Sequence, residues 1–85
     1  MPNRTEPSAP PRSFRQRYDE LENRRAELIA RLHGLGAQAQ AHPAYKRALK
    51  LLNDTFRKSK LTQRLAVLQA AAWLIDILER LLQAM

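Results

Sequence analysis

The side chains that could perform chemistry are few in this sequence, and they do not form a recognisable site. The only histidines, His33 and His42, have no partner ligand at metal-binding spacing, and the chain contains no cysteine. Carboxylates cluster at Asp19, Glu20, Glu22 and Glu27. These acidic residues lie among arginines on one helix face, a pattern typical of a solvated surface rather than of a catalytic acid and base. We therefore expect no enzyme activity, no metal and no cofactor.

Basic side chains offer a second kind of chemistry, the binding of anions. Residues 36–64 hold seven Lys or Arg and one Asp, so this segment carries +6 of the net charge of +7. The basic residues are Lys46, Arg47, Lys50, Arg57, Lys58, Lys60 and Arg64. They are candidates for contacts with nucleic-acid phosphates, which require positive charge but no base readout. The simpler alternative, which we prefer, is a solvated helix face beside a basic turn.

The elements that must position these side chains are predicted to be helices. Ala, Leu, Arg, Gln and Glu dominate after Ser13, and the only glycines are Gly34 and Gly36. Residues 1–12 hold four of the five prolines and are predicted to be a disordered tail. A single domain over residues 13–85 remains.

The first helix is predicted from Ser13 to His33. "SFRQ" fits a capping box at its start, and Gly34 suits the left-handed position just after its end. Apolar residues recur every three or four positions, and Arg25 occupies the one polar position of this seam. An ion pair is expected between Glu27 and Arg31. The following "AQAQA" is interpreted as a linker.

Two more helices are predicted, Pro43 to Lys58 and Leu61 to Gln83. No Gly or Pro separates them, but the apolar stripe of one is rotated by about 200° from that of the other. A straight helix would point the two stripes in opposite directions, so we predict a break near Lys58 to Leu61, with Ser59 as the cap. The predicted fold is all-α, a small three-helix bundle in which a helical hairpin is followed by a long apolar C-terminal helix.

That last helix is more apolar than two neighbours can cover. A chain of 85 residues without disulfides gains stability from a second copy, so we expect a homodimer. The expected interface is Ala70, Trp73, Leu74, Ile77 and Leu81. The competing interpretation is that Phe14, Tyr18 and the "AQAQA" linker cover this edge within one chain.

The sequence thus favours a non-catalytic helical interaction module, an adaptor or regulator, that associates with itself and could also bind another protein. Nucleic-acid binding through the basic segment is the alternative function. Direct base readout is not expected, because the helix that follows the turn is apolar. Binding to an anionic membrane surface is a third hypothesis, weakened by the lack of a Lys-rich polar face on the last helix. No membrane span is expected, and we expect a soluble, cytoplasmic protein.

Overall fold

The computed structural model describes residues 14–84, which are helical apart from short turns and include no strand. The elements are α1 Phe14–His33, α2 Ala37–Gln40, α3 Pro43–Lys50, a π-helical segment Leu51–Thr55, α4 Phe56–Lys58 and α5 Leu61–Ala84. The prediction of an all-α chain is confirmed. The predicted tail 1–12 and the Ser13 capping box lie outside the described residues.

The second helix of the prediction is continuous from residue 43 to residue 58. It comprises α3, the π-helical segment and α4, and we call it the middle helix. The predicted break follows it, because Ser59 is extended and α5 begins at Leu61. Ser59 does not cap α5 as predicted. Its hydroxyl donates to the Thr55 carbonyl at 2.6 Å, while the Lys60 carbonyl accepts the first hydrogen bonds of α5.

At the end of α1, the glycine that adopts a positive φ is not the glycine that was predicted. Gly34 continues the helical turn, since its N–H donates to the Ala30 carbonyl at 3.0 Å. The positive φ, 90°, belongs to Gly36. The chain turns only after Leu35, a half-buried side chain that packs against the core and therefore has to stay near the helix. The prediction for Gly34 was wrong by two residues.

The "AQAQA" segment is not merely a linker, because its first four residues form α2. Ala39 is buried within the core, and this contact holds α2 against the rest of the chain. The turn that follows leads into α3, where Pro43 is the first helical residue, as predicted. The Nδ1 atom of His42 accepts a hydrogen bond from the Ala44 N–H at 3.0 Å, so His42 is a helix cap.

One core is shared by α1, the middle helix and α5. The fully buried large side chains are Leu28, Leu32, Leu52, Phe56, Leu68, Ile75 and Leu78. Helix α3 packs on α5 although a turn at 59–60 separates the middle helix from α5, so these two helices are antiparallel. Residues 17–24 of α1 lie beside 61–65 of α5, and Arg31 reaches Glu79, so α1 runs parallel to α5.

Arg25, the polar residue on the apolar seam of α1, is explained by the π-helical segment. The Phe56 N–H donates to the carbonyls of Leu51 and Asn53 rather than to that of Leu52. Arg25 Nε donates to the Leu52 carbonyl at 2.5 Å, and its Nη2 donates to Asn53 Oδ1 at 2.8 Å. The arginine therefore supplies a donor where the helical ladder is displaced, and it joins α1 to the middle helix.

Candidate interaction surfaces

Helix α5 buries one face completely. Its fully or nearly fully buried residues are Leu68, Ala71, Leu74, Ile75 and Leu78. At 100° per residue these five positions fall within about 120° of the helix circumference. The positions outside this arc are available to a partner.

Beside the buried face lies a row of apolar residues, which we call the α5 stripe: Ala66, Ala70, Trp73, Ile77 and Leu81. Their positions on the helix fall within about 80° of one another. Trp73 is 65% exposed and Leu81 is 43% exposed, and Ile77 is half-buried. The stripe thus contains four of the five residues predicted for the interface. Leu74, the fifth, lies in the core of the chain itself, only 8% exposed.

The competing interpretation placed Phe14, Tyr18 and residues 37–41 over this edge. Phe14 is itself 73% exposed, and the Tyr18 ring lies 5.4 Å from the Arg64 guanidinium. Ala39 packs into the core. None of these contacts brings Trp73 below 65% exposure, so the described residues 14–84 leave the stripe largely open.

A polar margin borders the stripe on the side of α1. Arg31 of α1 donates to Asp76 and, at 2.6 Å, to Glu79 Oε1. Hydrogen bonds to the two carboxylates, that to Glu79 foremost, raise the pKa of Arg31 above its already high normal value. The expected pair of Glu27 with Arg31 is replaced by this cross-helix pair, and Glu27 instead contacts Arg24 at 3.4 Å. The ion pairs join α1 to α5 along this polar margin.

The predicted anion-binding residues divide into two groups. Six of them are exposed and make no ion pair within residues 14–84: Lys46, Arg47, Lys50, Arg57, Lys58 and Lys60. Five of the six lie on the middle helix, whose other side buries Tyr45, Ala48, Leu52 and Phe56. We call these six the basic face.

Arg64, the seventh predicted residue, is occupied within the fold. The Arg64 side chain is half-buried. Its guanidinium lies 4.6 Å from the Phe56 ring centroid and also stacks on the Tyr18 ring. Its Nε donates to the Ser59 carbonyl at 3.3 Å and its Nη2 to the Arg57 carbonyl at 3.5 Å. Because these carbonyls end the middle helix, Arg64 stabilises the turn into α5.

A shallow groove of about 330 Å³ lies between the first halves of α1 and α5. Its walls are Arg17, Glu20, Leu21, Arg24, Leu61, Thr62 and Leu65. The lining offers no histidine and no paired carboxylates. Within the described part of the chain, no three His, Asp or Glu side chains are grouped as metal ligands, and no helix has the length and apolarity to cross a membrane.

No family model, curated protein or solved structure matches this chain. Its two most distinctive surfaces are the α5 stripe and the basic face.

Proposed function

We propose that this chain is a non-catalytic protein-interaction module that forms a homodimer through the α5 stripe. The observation that carries the proposal is Trp73, the one tryptophan of the chain, which is 65% exposed between other apolar residues on the same helix face. Isolated exposed apolar residues are ordinary, whereas a continuous row on one helix face is typical of an interaction surface.

The gain from covering Trp73 is large for a molecule of this size. An aromatic side chain buries about 150–250 Å², so the exposed 65% corresponds to about 100–160 Å² and about 2.5–4 kcal/mol per copy. A two-fold dimer gains this contribution twice. The whole free energy of unfolding of a domain of about 70 residues is only about 4–11 kcal/mol. Because association itself costs about 4–15 kcal/mol, burial of the other stripe residues has to add to that of Trp73 for the dimer to form.

The charge distribution of the chain favours association at the α5 stripe over association at the basic face. Helix α5 contains Arg64 and Arg80 against Asp76 and Glu79, so its charges sum to zero. The remaining +7 of the chain lies outside α5, with the basic face contributing six positive charges. Two copies meeting at α5 thus avoid placing their basic faces against each other.

The single tryptophan makes the proposal testable by fluorescence. As concentration rises through the dissociation constant, Trp73 emission should shift to shorter wavelength and become less accessible to acrylamide. Ala70→Glu should abolish the shift without unfolding the chain, because Ala70 is exposed in the single chain whereas the dimer would bury the new charge. Gln38→Glu adds the same charge at an exposed position of α2 and should leave the shift unchanged. Concentration-independent emission and quenching would contradict dimerisation at the stripe.

The basic face supports a second candidate function, sequence-independent binding to nucleic acid. The supporting observation is that its six cations are exposed and not neutralised by ion pairs within residues 14–84. Binding to duplex DNA should weaken steeply with salt, and Lys50→Gln should reduce the slope of log K against log salt by about one unit. Arg64→Gln, by contrast, should change stability more than slope. Absence of binding at low salt would exclude this function.

A further inference from the structure

We infer that the two copies pair their α5 helices antiparallel, so that Trp73 and Ile77 of each stripe fit against the alanines of the other. This inference rests on the dimer proposed above and specifies its geometry. In the arrangement, Trp73 packs on Ala70 of the second copy, and Ile77 packs on Ala66 of the second copy. The two-fold axis passes between positions 71 and 72.

The spacing of the stripe is the first support. Ala66, Ala70, Trp73 and Ile77 follow steps of four, three and four, the spacing of a coiled-coil seam. In an antiparallel coiled coil, the first residue of a three-residue step on one helix packs against the last residue of such a step on the other helix. With the axis between 71 and 72, Ala70 meets Trp73 and Ala66 meets Ile77, and both contacts occur twice by symmetry.

Steric fit is the second support, because it distinguishes this register from the alternatives. A parallel pair would place Trp73 on Trp73 and leave Ala66 and Ala70 facing alanines. The tryptophan layer would then be overpacked, and the alanine layers would leave voids. An antiparallel pair shifted by one heptad would place Trp73 on Ile77 and Ala66 on Ala84. Of these three arrangements, only the proposed register gives every large residue of the seam a small partner, and close packing without voids is what stabilises a helix interface.

Charge is the third support. Arg80 occupies the next seam position after Ile77. In a parallel pair it would face Arg80 of the second copy across the seam, and like charges at such a contact are unfavourable. In the proposed register it faces Gln63 of the second copy, an uncharged residue that can accept its hydrogen bonds. Both ends of the apolar seam are then closed by an Arg and Gln layer.

The absence of cysteine from the chain allows a direct test by single spin labels. Gln83→Cys and Thr62→Cys place labels at exposed positions near the two ends of α5. With 1.5 Å per residue and helix axes about 9 Å apart, label separations should be about 36 Å at residue 83 and about 30 Å at residue 62. The heptad shift that places Trp73 on Ile77 gives about 26 Å at residue 83 and about 40 Å at residue 62, and the opposite shift gives about 46 Å and about 20 Å. A parallel pair gives less than about 20 Å at both sites.

Exchanging the large and small residues at positions 70 and 73 tests the same register without spin labels. Ala70→Trp alone should weaken association by about tenfold or more, because the introduced indole would meet Trp73 of the second copy. Adding Trp73→Ala should restore association, since the large and small residues have only exchanged places. Sedimentation of each labelled variant separates the two levels of the proposal. A monomeric mass overturns the dimer itself, whereas a dimeric mass with short or reversed separations, or a double variant that is not restored, overturns the register.

Discussion

Replacing Arg25 by alanine should destabilise the fold far more than replacing the arginine beside it. The Arg25 side chain is 17% exposed, donates to the Leu52 carbonyl and to Asn53, and lies 5.6 Å from the Phe56 ring centroid. Arg24 is 52% exposed, and its ion pair joins it to Glu27 on the same helix. The two positions therefore form a matched pair of one partly buried and one exposed arginine.

The expected loss of stability can be worked out from the hydrogen-bonding groups that lose their partner. A hydrogen bond to a charged group contributes about 1.5–3 kcal/mol, and a partly buried carbonyl left without a donor costs about 1–3 kcal/mol. These two values overlap and cannot simply be added. We therefore expect Arg25→Ala to lower the free energy of unfolding by about 2–4 kcal/mol. For a domain of this size that corresponds to a melting temperature lower by at least about 8 °C.

Urea unfolding followed by far-ultraviolet circular dichroism would measure this loss. All variants should be compared at one protein concentration, because association shifts apparent stability. Arg24→Ala should cost less than about 1 kcal/mol, as exposed ion pairs generally do. Arg25→Lys should lie between, since a single ammonium cannot serve both acceptors with the geometry of a guanidinium. Equal losses for Arg24→Ala and Arg25→Ala would refute the role assigned to Arg25.

Two further substitutions test the turn after α1 and the margin of the stripe. Gly36→Ala should cost about 1–3 kcal/mol in urea unfolding because a φ of 90° is unfavourable for alanine. Gly34→Ala should cost nothing, since its Cβ would meet only carbonyls at 3.5 Å; a larger loss at Gly34 would contradict the assigned turn. Arg31→Ala should cost about 1 kcal/mol at low salt, and less at about 1 M salt, because its half-exposed pairs with Asp76 and Glu79 are screened. A salt-independent loss would indicate packing instead.

The helix boundaries could be predicted because they depend on local sequence. The break at 59–60 follows from the phase of the apolar residues on either side, although no Gly or Pro is present there. Pro43 marks the start of α3 through its fixed φ. The stripe also follows from helical periodicity, since its positions fall within one narrow arc beside the core residues.

The features that could not be predicted depend on contacts between residues far apart in sequence. The π-helical segment is stabilised by Arg25, 27 positions before Leu52, and no local signal marks it. Charge alone cannot distinguish Arg64, which stacks on Phe56, from the lysines that remain exposed. Likewise, "HGLG" offers two glycines, and the choice of Gly36 follows from the contact of Leu35 with the core. Four residues of α2 are too few to show periodicity.

The mass of the unmodified chain in solution tests the central proposal most directly. Sedimentation equilibrium at micromolar concentration should give twice the 9.8 kDa of one chain, and Ile77→Glu should reduce the mass to that of a monomer. Gln38→Glu, with the same change of charge on α2, should remain dimeric. A mass of one chain for the unmodified protein throughout the micromolar range would contradict self-association through the α5 stripe.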